Sequence, residues 1–213
     1  INPPNPAFWV RFSAIFNSLF IGIILWFITK RLWHSPKISF YALLITIAAP
    51  IFALGSILIT VDNPLILYWI LFIYLFILAL ETRRPLYWYL SGIVFGLGFL
   101  SKYTMIAILF SVIIYLALSR EHRFWLRRKE FFLFLIIASL CSIPVILWNY
   151  NHNWIGFRHL QGQAGLSRAN LVKSFFSKET LLQLGEFSGI QSAVISPGLF
   201  IIICWSFIKA QQI

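Results

Sequence analysis

The sequence predicts an all-α polytopic membrane protein, a bundle of about seven membrane-spanning helices. Of its 213 residues, 60% are hydrophobic and only 11% are charged, whereas ordinary soluble domains carry about 25% charged residues. The mean hydropathy is +0.86, and the apolar residues fall into runs of about 20, the length that crosses roughly 30 Å of hydrocarbon. This composition excludes a soluble fold, which could not cover so much apolar surface, and a disordered chain.

Five apolar runs have the length of a single membrane crossing. Each stops where polar or charged residues begin, as expected when such side chains reach the membrane surface. Helices are the predicted conformation, because a chain that crosses lipid must satisfy its backbone hydrogen bonds internally. These runs are 8–28, 38–60, 64–80, 131–148 and 193–208.

The apolar stretch 86–118 is too long for one crossing, since a single helix of that length would measure on the order of 50 Å. Basic residues flank it on both sides, at Arg83-Arg84 and within 120–129. The positive-inside rule puts both clusters on the same side of the membrane, so the chain must cross an even number of times. Ser101-Lys102 is the polar break near the middle, and two short helices are predicted to meet at Lys102.

This topology places the N-terminus outside and most of the 17 Lys and Arg residues inside. The formal charge of +11 is therefore interpreted as a topology signal, and no nucleic-acid partner is predicted. Residues 120–129 are predicted to form a solvated inner loop. The polar segment 149–191 is predicted to lie on the outer face, with an amphipathic surface helix at 177–187.

Two charged residues at predicted outer turns are candidates for chemistry. Pro64 suits the first position of a helix, so Asn63 is the predicted N-cap and Asp62 lies just before the helix. Asp62 is either an interfacial acid favoured by the helix N-terminus, or a group that orients an acceptor, acts as a base or binds a metal ion. Lys102 is either a lysine that extends to the membrane surface, or a cation placed for a lipid-linked phosphate.

The outer segment begins with alternating aromatic and polar residues. His152, Arg158 and His159 lie there, either in an aromatic belt with a polar surface or on a surface that binds sugar hydroxyls and phosphate. The two cysteines of the chain lie within apolar runs, and no HExxH or CxxC pattern is present. The sequence therefore predicts no dedicated zinc site.

Several segments together resemble the bacterial GT-C glycosyltransferases of family 39, which are related to protein O-mannosyltransferases and aminoarabinose lipid A transferases. The resemblance covers nearly the whole chain, and its most specific parts are the Asp62 turn and the Leu-Ser-Lys-Tyr-Thr segment. Val61 departs from it, because family members often have Pro before the Asp. The segments are Val10–Ala14, Thr60–Leu65, Gly96–Thr104, Pro144–Asn149 and His152–Arg158.

The resemblance implies a transferase that takes a sugar from a polyprenyl-phosphate carrier on the extracytoplasmic face of the bacterial inner membrane. The acceptor would be a lipid such as lipid A, a glycan or a protein. Asp62 would be the second active-site carboxylate, near the acceptor or a divalent metal ion. Lys102 would bind the carrier phosphate, with Tyr103 beside it. His152, Arg158 and His159 would lie in a loop that covers the donor.

In such enzymes the principal catalytic acid lies in the first outer loop, which would precede Ile1. We therefore expect residues 1–213 to be part of a longer transferase domain and to be inactive alone. The alternative function is a transporter or flippase for a lipid-linked substrate. Transporters tend to show internal repeats and polar residues near the membrane midplane, whereas this chain has no clear repeat and its polar residues cluster at one predicted face.

Overall fold

The structure is a computed structural model, and it describes residues 6–58 and 60–163 together with residues 185, 186 and 189. The described residues form helices and turns and contain no strand. The all-α class is confirmed. The α-helices are α1 Pro6–Trp33, α2 Pro36–Ala48, α3 Pro50–Gly55, α4 Asp62–Thr82, α5 Pro85–Ser101, α6 Ile106–Leu118, α7 Lys129–Asn151 and α8 Ile155–Gln163.

The chain divides into two compact units. The first comprises the chain through Thr46 and Leu54–Leu147, and the second comprises Ile47–Ala53 and the chain from Trp148 onward. In the first unit, α4 packs against both α1 and α5. The ion pair between Arg31 and Glu81 joins the C-terminal ends of α1 and α4, so these two helices run in the same direction.

Three described helical segments are long and apolar enough to cross a membrane: Arg11–Trp33, Asp62–Thr82 and Lys129–Asn151. The 21 residues of the second correspond to about 32 Å, close to the thickness of the hydrocarbon layer. Three shorter apolar helical segments accompany them. Many large apolar side chains are exposed to the surroundings, as expected for helices that face lipid, and the protein is an integral membrane protein.

The predicted pair of short helices meeting at Lys102 is confirmed. Lys102 ends α5 with an extended backbone at φ −158° and ψ 134°, and its N–H donates to the carbonyl of Gly98. A 3₁₀ helix at Tyr103–Met105 then leads into α6. The Met105 side chain is fully buried at this turn, so the chain reverses around an apolar anchor while the lysine stays partly exposed.

Helices α5 and α7 approach closely at glycine. A Cβ atom on Gly96 would lie 2.3 Å from the Cβ of Cys141, and one on Gly92 would lie 2.8 Å from the carbonyl oxygen of Phe134. Neither distance is possible without moving backbone, so these glycines set the spacing of the two helices. Aromatic rings fill the neighbouring core, where Phe72, Phe95 and Phe134 contact one another at centroid distances of 5.9 to 6.2 Å.

The prediction of a continuous span at 38–60 is wrong. Residues 38–60 are not one helix, because α2 ends at Ala48 and α3 begins at Pro50, whose ring nitrogen cannot donate a helical hydrogen bond. Most residues of 120–129 are exposed, as predicted for this loop, although a 3₁₀ helix at Arg123–Arg127 buries Trp125 to 3% exposure. The predicted span 193–208 lies outside the described residues, as does the predicted helix 177–187 apart from Gly185 and Glu186.

Candidate functional site

The structure brings Asp62 and Lys102 together. The Lys102 Nζ lies 2.5 Å from the Asp62 Oδ1, although the two residues are 40 positions apart in the chain. Asp62 is the first residue of α4 and Lys102 directly follows the last residue of α5. The antiparallel packing of these helices therefore builds a charge pair at one end of the first unit.

The Asp62–Lys102 pair is open to its surroundings. The Lys102 side chain is 41% exposed and that of Asp62 is 49% exposed. Ion pairs with this degree of exposure typically contribute about 0.2 to 1 kcal/mol to stability, so the fold gains little from this contact. Asp62 also lies in the first turn of α4, where the helix dipole favours a negative charge. Both charged groups remain accessible to a ligand.

Asn63 does not cap α4 as predicted. The helix begins at Asp62, two residues before the predicted start at Pro64, and its N-cap position, Val61, makes no side-chain capping hydrogen bond. The Asn63 side chain is instead buried and donates from its Nδ2 to the carbonyls of Gly55 and Leu58, both at 2.8 Å.

The observed role of Asn63 is one that the sequence interpretation did not predict. Its amide carries two N–H groups, which suits the two carbonyls left without helical partners after α3. The Thr60 hydroxyl donates to the Asn63 Oδ1 at 3.3 Å. The turn that precedes Asp62 is thus tied to the start of α4. An Asn between Asp and Pro in an apolar context is the sequence signal for this role.

Tyr103 follows Lys102 in the 3₁₀ helix, and its ring contacts Phe99 at a centroid distance of 5.4 Å. Met105 in the same turn packs against Gly98, where an added Cβ would lie 2.9 Å from the methionine sulfur. The backbone on both sides of Lys102 is therefore fixed by packing. The Lys102 side chain, in contrast, is 41% exposed.

His152, Arg158 and His159 belong to the second unit. The His152 ring stacks on Trp148 at a centroid distance of 4.3 Å, and its Nδ1 donates to the Trp148 carbonyl at 2.7 Å. The Nε2 of a neutral His152 is then left as an acceptor. Arg158 and His159 are exposed on α8.

The turn between α7 and α8 has an unusual backbone. Asn153 and Trp154 both have positive φ, 54° and 59°, a conformation that is costly for residues other than glycine. Two hydrogen bonds hold it: the Trp154 N–H donates to the Asn149 carbonyl at 2.7 Å, and the Gly156 N–H donates to the Asn149 Oδ1 at 3.2 Å. Asn149, which is fully buried, therefore organises the segment that carries His152.

The described residues contain no group of three or more His, Cys, Asp and Glu side chains placed to hold a metal ion. Asp62 supplies one carboxylate, and its partner in this structure is the Lys102 ammonium. These residues alone do not make a metal site, so the ligands of any ion at Asp62 would have to come mainly from other parts of the protein.

Comparison with known proteins places these residues in a family. A family model described as dolichyl-phosphate-mannose-protein mannosyltransferase matches residues 5–148, more than half of the chain. The match includes Asp62, Lys102 and Tyr103 and ends before His152. No solved structure matches the chain significantly.

Curated relatives are similar at low identity. An undecaprenyl phosphate-α-4-amino-4-deoxy-L-arabinose arabinosyl transferase of Pectobacterium atrosepticum is 25% identical over 93% of this chain and 39% of the relative. A lipid A galacturonosyltransferase of Rhizobium johnstonii is 25% identical over 95% of this chain and 40% of the relative. The chain thus spans about two fifths of the length of the curated relatives it matches. Since the family model covers most of the described helices, the chain belongs to the dolichyl-phosphate-mannose-protein mannosyltransferase family.

Proposed function

We propose that the protein is a membrane glycosyltransferase that moves a sugar from a polyprenyl-phosphate-linked donor to a hydroxyl or phosphate of an acceptor on the extracytoplasmic face of the bacterial inner membrane. The observation that carries this proposal is the accessible Asp62–Lys102 pair, at the end of a membrane helix within the region matched by the family. A lysine and a carboxylate there suit the two halves of a transfer reaction, in which polyprenyl phosphate leaves and the acceptor hydroxyl loses a proton.

Lys102 and Asp62 each serve one half of the transfer reaction. The acceptor oxygen forms a bond to C1 of the sugar while the bond from C1 to the phosphate oxygen breaks, and polyprenyl phosphate leaves with the bonding electrons. The Lys102 ammonium stabilises the negative charge that develops on this leaving group. Asp62 orients the acceptor and accepts a hydrogen bond or proton from it. As a carboxylate, Asp62 is also suited to contribute one ligand to a divalent metal ion.

The Asp62–Lys102 ion pair sets the order in which the donor and the acceptor bind. Without a ligand, Lys102 is engaged by Asp62, so the donor phosphate must compete with this carboxylate for the ammonium. A phosphate offers more acceptor oxygens than one carboxylate and forms strong charge-assisted hydrogen bonds. Donor binding therefore releases Asp62, which becomes available to the acceptor only when the donor is in place.

Further residues belong to this proposal. Tyr103, which follows Lys102, lies beside the carrier phosphate. His152, Arg158 and His159 lie beyond the region that the family model matches, and as exposed polar residues they are suited to bind sugar hydroxyls or phosphate. Lipid A is the first acceptor to test, because one relative is named a lipid A galacturonosyltransferase. Undecaprenyl phosphate is the first carrier to test, because another is named for an undecaprenyl phosphate-linked aminoarabinose.

The test is sugar transfer by the intact protein in liposomes. Undecaprenyl-phosphate-linked 4-amino-4-deoxy-L-arabinose, mannose and galacturonic acid are offered separately with lipid A, a glycan or a serine-rich peptide. We expect one combination to yield glycosylated acceptor and free undecaprenyl phosphate in equal amounts. Movement of the intact donor between leaflets without transfer would overturn the proposal and favour a flippase, and inactivity with every combination would also contradict it.

A further inference from the structure

The end of the first unit opposite the Asp62–Lys102 pair is strongly basic. It contains seven exposed cationic residues at the ends of α4, α5, α6 and α7, where these helices reach the membrane surface. Positive charge near a membrane helix end is expected from topology alone, but here the positions of the side chains are specific. The residues are Arg83, Arg84, Arg120, Arg123, Arg127, Arg128 and Lys129.

Two of these cations share one aromatic ring. The guanidinium carbons of Arg83 and Arg128 lie 5.8 and 5.9 Å from the centroid of the Phe124 ring, within the range of a cation–π interaction. Arg83 lies in the turn between α4 and α5, whereas Arg128 lies between the 3₁₀ helix and α7. The ring therefore brings together two like charges from distant parts of the sequence.

The Phe124 ring is held in place by packing against its buried neighbour. Its neighbour Trp125 is buried and contacts Trp88 of α5 at a centroid distance of 5.2 Å, and the Phe124 and Trp125 rings stack at 5.0 Å. Arg83 and Arg128 therefore contact an aromatic ring whose position is fixed by packing. Fixing them in advance reduces the entropy that a ligand must remove when it binds.

Carboxylates do not neutralise these arginines within the described chain. Glu81 pairs with Arg31, and Glu121 lies 4.0 Å from His122. Glu130 is buried, and its Oε2 lacks a hydrogen-bond partner among the described residues. The described residues therefore place two preorganised, exposed cations at the membrane surface without an internal anion.

We propose that Arg83, Arg128 and Phe124 form a binding site for the headgroup of an anionic glycerophospholipid. The phosphate of the headgroup accepts hydrogen bonds from the two guanidinium groups, and its acyl chains lie along the exposed apolar helices. A lipid fits better than a soluble anion, because the site lies where membrane helices end and is continuous with their apolar surface. This site is separate from the proposed transfer site at the other end of α4.

The test measures lipid retention by native mass spectrometry of the intact protein, extracted from vesicles of phosphatidylcholine and phosphatidylglycerol. A charge-assisted hydrogen bond between a guanidinium group and the lipid phosphate contributes on the order of tenfold to binding. We expect Arg83→Ala with Arg128→Ala to reduce the retention of phosphatidylglycerol at least tenfold. The matched control, Arg84→Ala with Arg127→Ala, removes the same charge from the same end and should reduce it less than threefold.

Two further measurements test the lipid site independently of whether the double arginine variant folds. Phe124→Leu preserves every charge and should still reduce the retention of phosphatidylglycerol severalfold. The wild-type protein should retain phosphatidylglycerol in preference to phosphatidylcholine. Equal losses in the two arginine pairs would show diffuse surface attraction and overturn the site, and so would a wild-type protein without headgroup preference.

Discussion

Replacing Lys102 or Asp62 should strongly reduce transfer activity and change the stability of the protein only slightly. Their ion pair is about half exposed, with side-chain exposures of 41% and 49%, so its loss should change the free energy of unfolding by no more than about 1 kcal/mol. Removing one group that stabilises developing charge in a transition state typically reduces kcat by about 100- to 1000-fold. Lys102→Ala should therefore reduce transfer by that factor in a protein that folds normally.

The two variants should differ in donor affinity. Lys102→Ala removes the proposed partner of the phosphate, so KM for the donor should rise. Asp62→Asn removes the carboxylate that competes for Lys102, so KM for the donor should stay constant or fall while kcat decreases about 100-fold. Initial rates of transfer at varied donor concentration, with thermal unfolding of the same samples in detergent, give all of these quantities.

A second ion pair in the same unit provides a matched control. Arg31 and Glu81 have side-chain exposures of 36% and 42%, close to those of the first pair, and lie at the opposite end of α4. Arg31→Ala and Glu81→Gln should affect unfolding to a similar small extent and leave the transfer rate within twofold of wild type. Equal losses of transfer in both sets, or losses that follow the folded fraction, would refute a catalytic role for Asp62 and Lys102.

Three further replacements test individual residues described above. Asn63→Asp keeps the shape of the side chain but removes the N–H donors to two carbonyls, and it should destabilise the protein by about 2 to 3 kcal/mol in thermal unfolding. Gly96→Ala should cost about 1 to 3 kcal/mol, because its Cβ would overlap that of Cys141, and Cys141→Gly should partly restore stability in the double variant. His152→Phe keeps a ring to stack on Trp148 but loses the ring nitrogens, and the donor KM should rise about tenfold in the kinetic assay.

The controls for these replacements use nearby positions. A Cβ on Gly55 would lie at an ordinary 3.8 Å from the Asn63 side chain, so Gly55→Ala should be tolerated where Gly96→Ala is not. Cys141→Ala retains the overlapping Cβ and should not rescue Gly96→Ala. A stable Asn63→Asp protein, rescue by Cys141→Ala or an unchanged donor KM in His152→Phe would each contradict the reasoning behind that variant.

Charge was the most informative feature of the sequence. The basic residues on both sides of 86–118 require an even number of crossings, and this predicted the break at Lys102 that the structure contains. The prediction succeeded because the cost of moving several cations across a membrane exceeds any local preference for a continuous helix. The same side assignment placed Asp62 and Lys102 at one face, although their direct contact depends on side-chain geometry that spacing does not give.

The errors arose where distant residues decide a local structure. Asn63 is a residue type that often caps helices, but its side-chain amide donates instead to the carbonyls of Gly55 and Leu58. The direction of these carbonyls depends on where α3 ends. The segment 120–129 was predicted to be a solvated loop because its arginines outnumber its apolar residues. Trp125 is buried there because Trp88, far earlier in the chain, offers it a surface.

The close approach of α5 to α7 at Gly96 has a consequence for how the protein responds to its substrate. A Cβ on Gly96 would lie only 2.3 Å from the Cβ of Cys141, so α5 cannot move closer to α7 at this position. We therefore expect the rearrangement at Lys102 to come from torsions of its four-carbon side chain. Such torsions occur within nanoseconds. The exchange of a carboxylate partner for a phosphate should therefore be complete long before the slower arrival of an acceptor, and should not limit turnover.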